Sequence, residues 1–141
     1  MRVCILYGGD SAGNSNLRKL ADGMSKGISS RGQHIVELID MNLEQGRRVS
    51  SFDYIAIITQ ARGFLSKEAP PVVSTFLKSA GTISGKRCSC FISKNCLRKQ
   101  KVLQSLMKTM EDEGMYLKLS DILKNADMAY AVGKRLHVER N

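Results

Sequence analysis

Hydrophobic and polar positions along the chain follow two alternating rhythms. Residues 2–7, RVCILY, are continuously apolar after the first position and partly β-branched, as in a strand covered on both faces. Leu17, Leu20, Ala21, Met24 and Ile28 then recur at helical spacing and lay one apolar stripe along a helix, which RGQ at 31–33 ends through Gly32. HIVELIDM (34–41) reads as a second strand, and the polar NLEQGRRVSS after it as a loop or short irregular helix. FDYIAIIT (52–59) is the third and most hydrophobic strand, expected at the centre of a sheet. PPVVSTFLKSAG (70–81) opens with proline where the first turn of a helix tolerates it, and should bury Val72, Val73, Phe76 and Leu77. KRCSCFIS (86–93) is a fourth strand. A long helix is predicted over 95–115, with Val102, Leu103, Leu106, Met107 and Met110 inward. YLKLSDIL (116–123) is a short fifth strand, and NADMAYAVGKRLHVE (125–139) a closing helix.

Strands alternating with helices predict an α/β sandwich on a parallel sheet, because parallel neighbours need crossovers and helices supply them. The 141 residues, without internal repeat or linker, suit one domain over 1–141. In such sheets ligands bind beyond the carboxyl ends of the strands, where the winding reverses. Three loops are expected there: GGDSAGNS after the first strand, QARGFLSKEA after the third and SKNC after the fourth.

The first of these loops carries the clearest chemistry. Gly8 and Gly9 let the backbone turn and approach a ligand, the free amides and dipole of the following helix favour an anion, and Ser11 and Ser15 can donate to it. No Gly-Lys-Ser/Thr follows, so it is not a Walker loop, and the spacing of Gly8, Gly9 and Gly13 is not that of a dinucleotide fingerprint. A monophosphate pocket is the better match.

Composition adds a partner class. Twenty-two Lys and Arg against thirteen Asp and Glu give a net charge of +9, which favours anionic partners. Lys86, Arg87, Lys94, Arg98, Lys99 and Lys101 crowd into one strand-to-helix passage. Nucleic acid is disfavoured as the partner, since only Phe91 interleaves with these charges. No apolar run approaches the roughly 20 residues that span a bilayer, so no membrane association and a cytoplasmic location are expected. Cys4, Cys88, Cys90 and Cys96 lie in or beside buried-strand patterns and read as reduced thiols. Cys96, among lysines at a helix start, has the setting of a lowered pKa. The spacing of Cys88 and Cys90, far from His34 and His137, does not suit zinc, and no metal site is expected.

The residues Asp10, Ser11, Ala12, Gly13, Asn14 and Ser15, directly after the first strand, resemble the Thr/Ser-x-Thr-Gly-x-Thr loop of the flavodoxins. The likeness runs along the chain: YIAIITQARGFLSKEAPPVVSTFLKSAG is similar to the third strand, flavin-contacting loop and proline-led helix of that family, GKRCSCFIS to the next strand, and DMAYAVGKRL to the closing helix. The length suits the short-chain form. The resemblance implies a three-layer sandwich with a five-stranded parallel sheet of order 2-1-3-4-5, helices on both faces, and FMN as cofactor. Residues 10–15 would then hold the phosphate, with Lys94 as a further contact to it, and Gln60, Ala61, Arg62, Gly63, Phe64 and Ser93 would complete the cofactor site. Backbone near Ala61 to Gly63 would bond the reducible ring nitrogen, Gly63 permitting a peptide flip, and Phe64 or the planar guanidinium of Arg62 would cover the ring. The implied role is electron transfer between a reductase and an acceptor rather than conversion of a substrate, with a redox partner acidic at its docking face. Asp10 and Ala12 stand where the family prefers hydroxyls, and the acidic surface typical of these carriers is absent. The alternative is a flavodoxin-like domain that has lost FMN and binds an anionic protein or nucleic acid.

Overall fold

The computed structural model describes residues 1–10, 15–63, 65–93 and 97–138. Its elements follow the predicted alternation: β1 Arg2–Tyr7, α1 Ser15–Ser29, β2 Ile35–Asp40, β3 Tyr54–Thr59, α2 Pro71–Lys78, β4 Arg87–Ser93, α3 Lys99–Asp112, β5 Tyr116–Leu123 and α4 Ala126–Arg135. The strands form one sheet in the order β2-β1-β3-β4-β5, every adjacent pair parallel. β3 is central and all six of its residues are buried, as its hydrophobicity predicted.

Strand alternation divides the interior into two layers. Cys4, Leu6, Ile55, Ile57, Cys88 and Ile92 face the apolar stripes of α2 and α3, led by Phe76, Leu77, Leu103 and Leu106. Val3, Ile5, Tyr54, Ala56, Ile58 and Phe91 face α1 and α4 through Leu17, Met24, Ala129 and Val132. The two helices of the second layer cross very closely, because a Cβ added at Gly27 would strike the Tyr130 carbonyl and one at Gly133 the Met24 carbonyl.

Several predicted boundaries retreat. α2 begins at Pro71, with Pro70 extended at φ −62° and ψ 146°, and it stops before the left-handed Gly81. α3 is shorter than the predicted 95–115: residues 94–96 lie outside the described residues, Leu97 and Arg98 form a turn, and Gly114 at φ +82° ends the chain reversal after it. α4 stops at Arg135 instead of 139, since Leu136 is already extended and packs into the core. Its start is fixed by Asn125, whose side chain accepts from the Met128 amide. Residues 42–51 form turns rather than a helix. Among the described residues no helix is long and apolar enough to cross a membrane.

Candidate functional site

The chain passes from β1 through α1 to β2 on one side, returns to place β3 on the other side of β1, and then continues outward through β4 and β5. The winding therefore reverses between β1 and β3, and the loops that leave these strands share one edge of the sheet.

Hydrogen bonds to the backbone hold Gly8 and Gly9 at the start of the first loop. The buried Thr59 hydroxyl at the end of β3 donates to the Gly8 carbonyl at 2.6 Å, and the Gly8 amide reaches the Ile58 carbonyl at 3.3 Å. From the other side Asn42, just past β2, donates through Nδ2 to the Gly9 carbonyl at 2.7 Å and accepts the Gly9 amide on Oδ1 at 3.1 Å. Asn42 is itself fixed by its backbone amide donating to Asp40 Oδ1 at 2.9 Å. These contacts give the two glycines their reason. A Cβ on Gly8 would lie 2.7 Å from Asn42 Oδ1, and one on Gly9 would lie 3.2 Å from Gln60 Cγ. Neither glycine adopts positive φ. They supply clearance for the neighbouring side chains.

Asp10 and the third-strand loop then meet. Arg62 Nε lies 3.3 Å from Asp10 Oδ2, a partly exposed ion pair that neutralises the acidic residue standing in the phosphate-loop pattern. Gln60 packs against Gly9 and Ala61 against the α2–α3 layer, while Gly63 is exposed with open space around its Cα. Ser15 is the exposed first residue of α1, whose first turn contains no acidic side chain to oppose an anion. Ser93, the last residue of β4, is 2% exposed, and its hydroxyl has no hydrogen-bond partner among the described residues. The structure thus brings Asp10, Gln60, Ala61 and Arg62 together and places Ser15 and Ser93 at the ends of α1 and β4. Ser11, Ala12, Gly13, Asn14, Phe64, Lys94 and Cys96 lie outside the described residues.

Asn42 and Thr59 are the positioning residues that sequence reasoning missed. Asn42 falls in the polar stretch expected to be a loop or short irregular helix. The available signal was its place just after Asp40 at the carboxyl end of a strand, where asparagine and aspartate build local turns.

One other expectation changes. The basic passage of 86–101 is two separate groups: Lys86 and Arg87 lie at the amino end of β4, and Arg98, Lys99 and Lys101 beyond its carboxyl end, with a strand of roughly 23 Å between them. Lys86 is also committed to the fold, donating to the Ser50 carbonyl at 2.7 Å. Cys4, Cys88 and Cys90 are buried free thiols, and burial pushes Cys88 up to about 12, with Cys4 and Cys90 moved in the same direction for the same reason. Thiols held protonated this way are poor nucleophiles and poor metal ligands. No group of three His, Cys, Asp or Glu gathers among the described residues.

No family model matches the chain, and no curated protein matches its sequence. Solved structures do match. A flavodoxin from the domain Archaea superposes at TM-score 0.70 with 17% identity, over 99% of this chain and 95% of that one. Oxidised flavodoxin 1 from Bacillus cereus gives TM-score 0.70 with 14% identity over 94% and 95%. Two-electron reduced Megasphaera elsdenii flavodoxin gives 0.70 with 20% identity over 95% and 99%. The chain has the flavodoxin-like fold along its whole length.

Proposed function

We propose that the chain is a cytoplasmic FMN-binding redox protein passing electrons between a reductase and an acceptor. The observation that carries this reading is the Asp10–Arg62 pair at the winding reversal. It joins the loop that resembles a phosphate site to the loop that resembles a ring site, and it cancels the one charge in the first loop that would repel a phosphate. The donor set fits the group: α1 opens with a serine and without an acidic residue, and a buried hydroxyl, Ser93 Oγ, stands unpartnered at the end of β4.

Residues 10–15 with Lys94 would hold the phosphate, and Gln60 to Phe64 with Ser93 the ring. Bound FMN would supply a ring that takes up and releases electrons. Thr59 and Asn42 fix the backbone of Gly8 and Gly9, where the chain enters this loop, before any ligand arrives, so positioning those two residues costs little on binding. Flavodoxins among the matched structures support the reading at the level of the fold. A second reading, a flavin-free module for an anionic partner, is favoured by one observation: the +9 charge, with Asp10 and Ala12 in place of hydroxyls.

The deciding experiment is titration of the apoprotein with FMN and with riboflavin, followed by flavin fluorescence and the visible spectrum. FMN binding at least tenfold tighter than riboflavin supports the phosphate site. Equal affinities remove it, and no binding of either leaves the flavin-free module.

A further inference from the structure

Beyond the carboxyl ends of β4 and β5 lies an open groove of about 630 Å³, lined by Lys67, Leu97, Arg98, Lys99, Lys101 and Ile122. Lys67 comes from the loop after β3 and the other three cations from the start of α3, which the Ala69 amide ties together by donating to Ser105 Oγ at 3.0 Å. Among the described residues no acidic side chain lines the groove, and none of the four cations is ion-paired. Three of them occupy the N-cap and first turn of α3, where no acidic residue is present and the N-cap side chain makes no capping hydrogen bond. Cations at that end oppose the helix dipole, so the local sequence works against its own helix. α4 shows the favourable arrangement, with Asp127 in its first turn and Lys134 and Arg135 in its last.

We infer that this groove is the docking surface for an acidic protein partner, whose carboxylates meet Lys67, Arg98, Lys99 and Lys101 around an apolar contact on Leu97. Leu97 is 61% exposed and Leu65, in the same loop as Lys67, is 64% exposed, so large apolar side chains stand beside the cations, the arrangement of an apolar centre with a charged rim. A nucleic acid is the poorer fit, because no aromatic side chain among the described residues lines the groove to stack a base. The surface exists with or without flavin; only its use for electron delivery rests on the proposed redox function. The basic patch is therefore the carboxyl-end group joined by Lys67, and Lys86 and Arg87 take no part.

The test uses the whole chain without added flavin and three fluorescein-labelled probes: a glutamate-rich peptide carrying two leucines, the same peptide with glutamine for glutamate, and a single-stranded DNA of equal charge. Anisotropy is read from 20 to 300 mM salt. The acidic peptide is expected to bind at low salt, the glutamine peptide at least tenfold more weakly, and affinity to fall steeply as salt rises. The Lys67→Glu/Lys101→Glu variant should lose at least tenfold in affinity, while Lys118→Glu/Lys134→Glu, with the same net charge but altered away from the groove, should stay within threefold of the parent. Folding is monitored by thermal melting: Lys101→Glu should melt no lower than the parent, since it relieves the helix start, and Lys67→Glu alone, off the helix, should still weaken binding. Equal losses in the two double variants would reduce the effect to net charge and overturn the groove. Tighter binding of the DNA than of the peptide would overturn the choice of partner, and failure of the acidic peptide to bind would overturn the proposal outright, whatever the FMN titration gives.

Discussion

Asn42 and Gly9 are joined twice, by Nδ2 donating to the Gly9 carbonyl at 2.7 Å and by the Gly9 amide donating to Oδ1 at 3.1 Å. One side chain thereby satisfies both polar groups of a buried backbone unit, as a neighbouring strand would. Asn42→Ala leaves both groups without a partner and should destabilise the fold by about 1–3 kcal/mol. Asn42→Asp keeps an acceptor for the amide, has no donor for the carbonyl, and should be nearly as costly. Urea denaturation measures both; FMN titration of the same variants should show weakened binding, because the loop they release is the proposed phosphate loop.

The Asp10–Arg62 pair contributes little to stability, since both side chains are substantially exposed and such pairs give about 0–1 kcal/mol. Its effect should appear in binding. Arg62→Ala uncovers the Asp10 charge and should weaken FMN, Asp10→Asn should strengthen it, and the double variant should recover most of the Arg62 loss. A cycle of four titrations reads the coupling, and additive single effects would show that the pair does not act on the phosphate.

The Ser93 hydroxyl is buried without a partner among the described residues. An unpaired buried hydroxyl is a cost, so Ser93→Ala should leave stability unchanged or raise it by up to about 1 kcal/mol. The same variant should weaken FMN by about 0.5–1.5 kcal/mol if the hydroxyl serves the ring. Gain in stability with loss of binding is the expected signature.

Alkaline pH should unfold the protein earlier than its surface charge suggests. Burial raises the Cys88 thiol from 9.0 to about 12 and the Tyr54 hydroxyl from 10.0 to about 12, with Cys4 and Cys90 shifted the same way. The folded state keeps these protons while the unfolded chain has lost them, so stability is full below pH 9 and declines above it. Each thiol contributes about 1.4 kcal/mol per pH unit between its two pKa values. Urea midpoints from pH 7 to 11 test this, and Cys88→Ala should flatten the decline. At neutral pH the three buried thiols should react with a thiol reagent only on unfolding.

Gly27 and Gly133 set the spacing of α1 and α4, since a Cβ on either meets the backbone carbonyl of the facing helix. Gly27→Ala gains helix propensity but forces the helices apart, and overpacking of this kind costs about 1–3 kcal/mol. A lower melting temperature for Gly27→Ala, with exposed Gly63→Ala unchanged, is the expected contrast.

How far the chain could be read without its fold differs from element to element. The continuous apolar run of β3 predicted burial on both faces and a central place, and the 17, 20, 21, 24, 28 spacing predicted the buried stripe of α1, because periods of two and 3.6 are written directly into residue order. Alternation then implied a parallel sheet, and the flavodoxin resemblance supplied the order 2-1-3-4-5. Helix ends were less legible, since α3 and α4 stop where a glycine turns left-handed or a leucine leaves for the core, events governed by tertiary packing. Local order alone therefore determined the layers, the core residues and the sheet edge that carries the candidate site. Only the tertiary structure decided that Gly8 and Gly9 make room for Asn42 and Gln60, that Arg62 cancels Asp10 across 52 positions, and that one basic run becomes two. Those relations depend on which strand ends the crossovers bring together, and contacts between residues far apart in sequence leave no period in the chain.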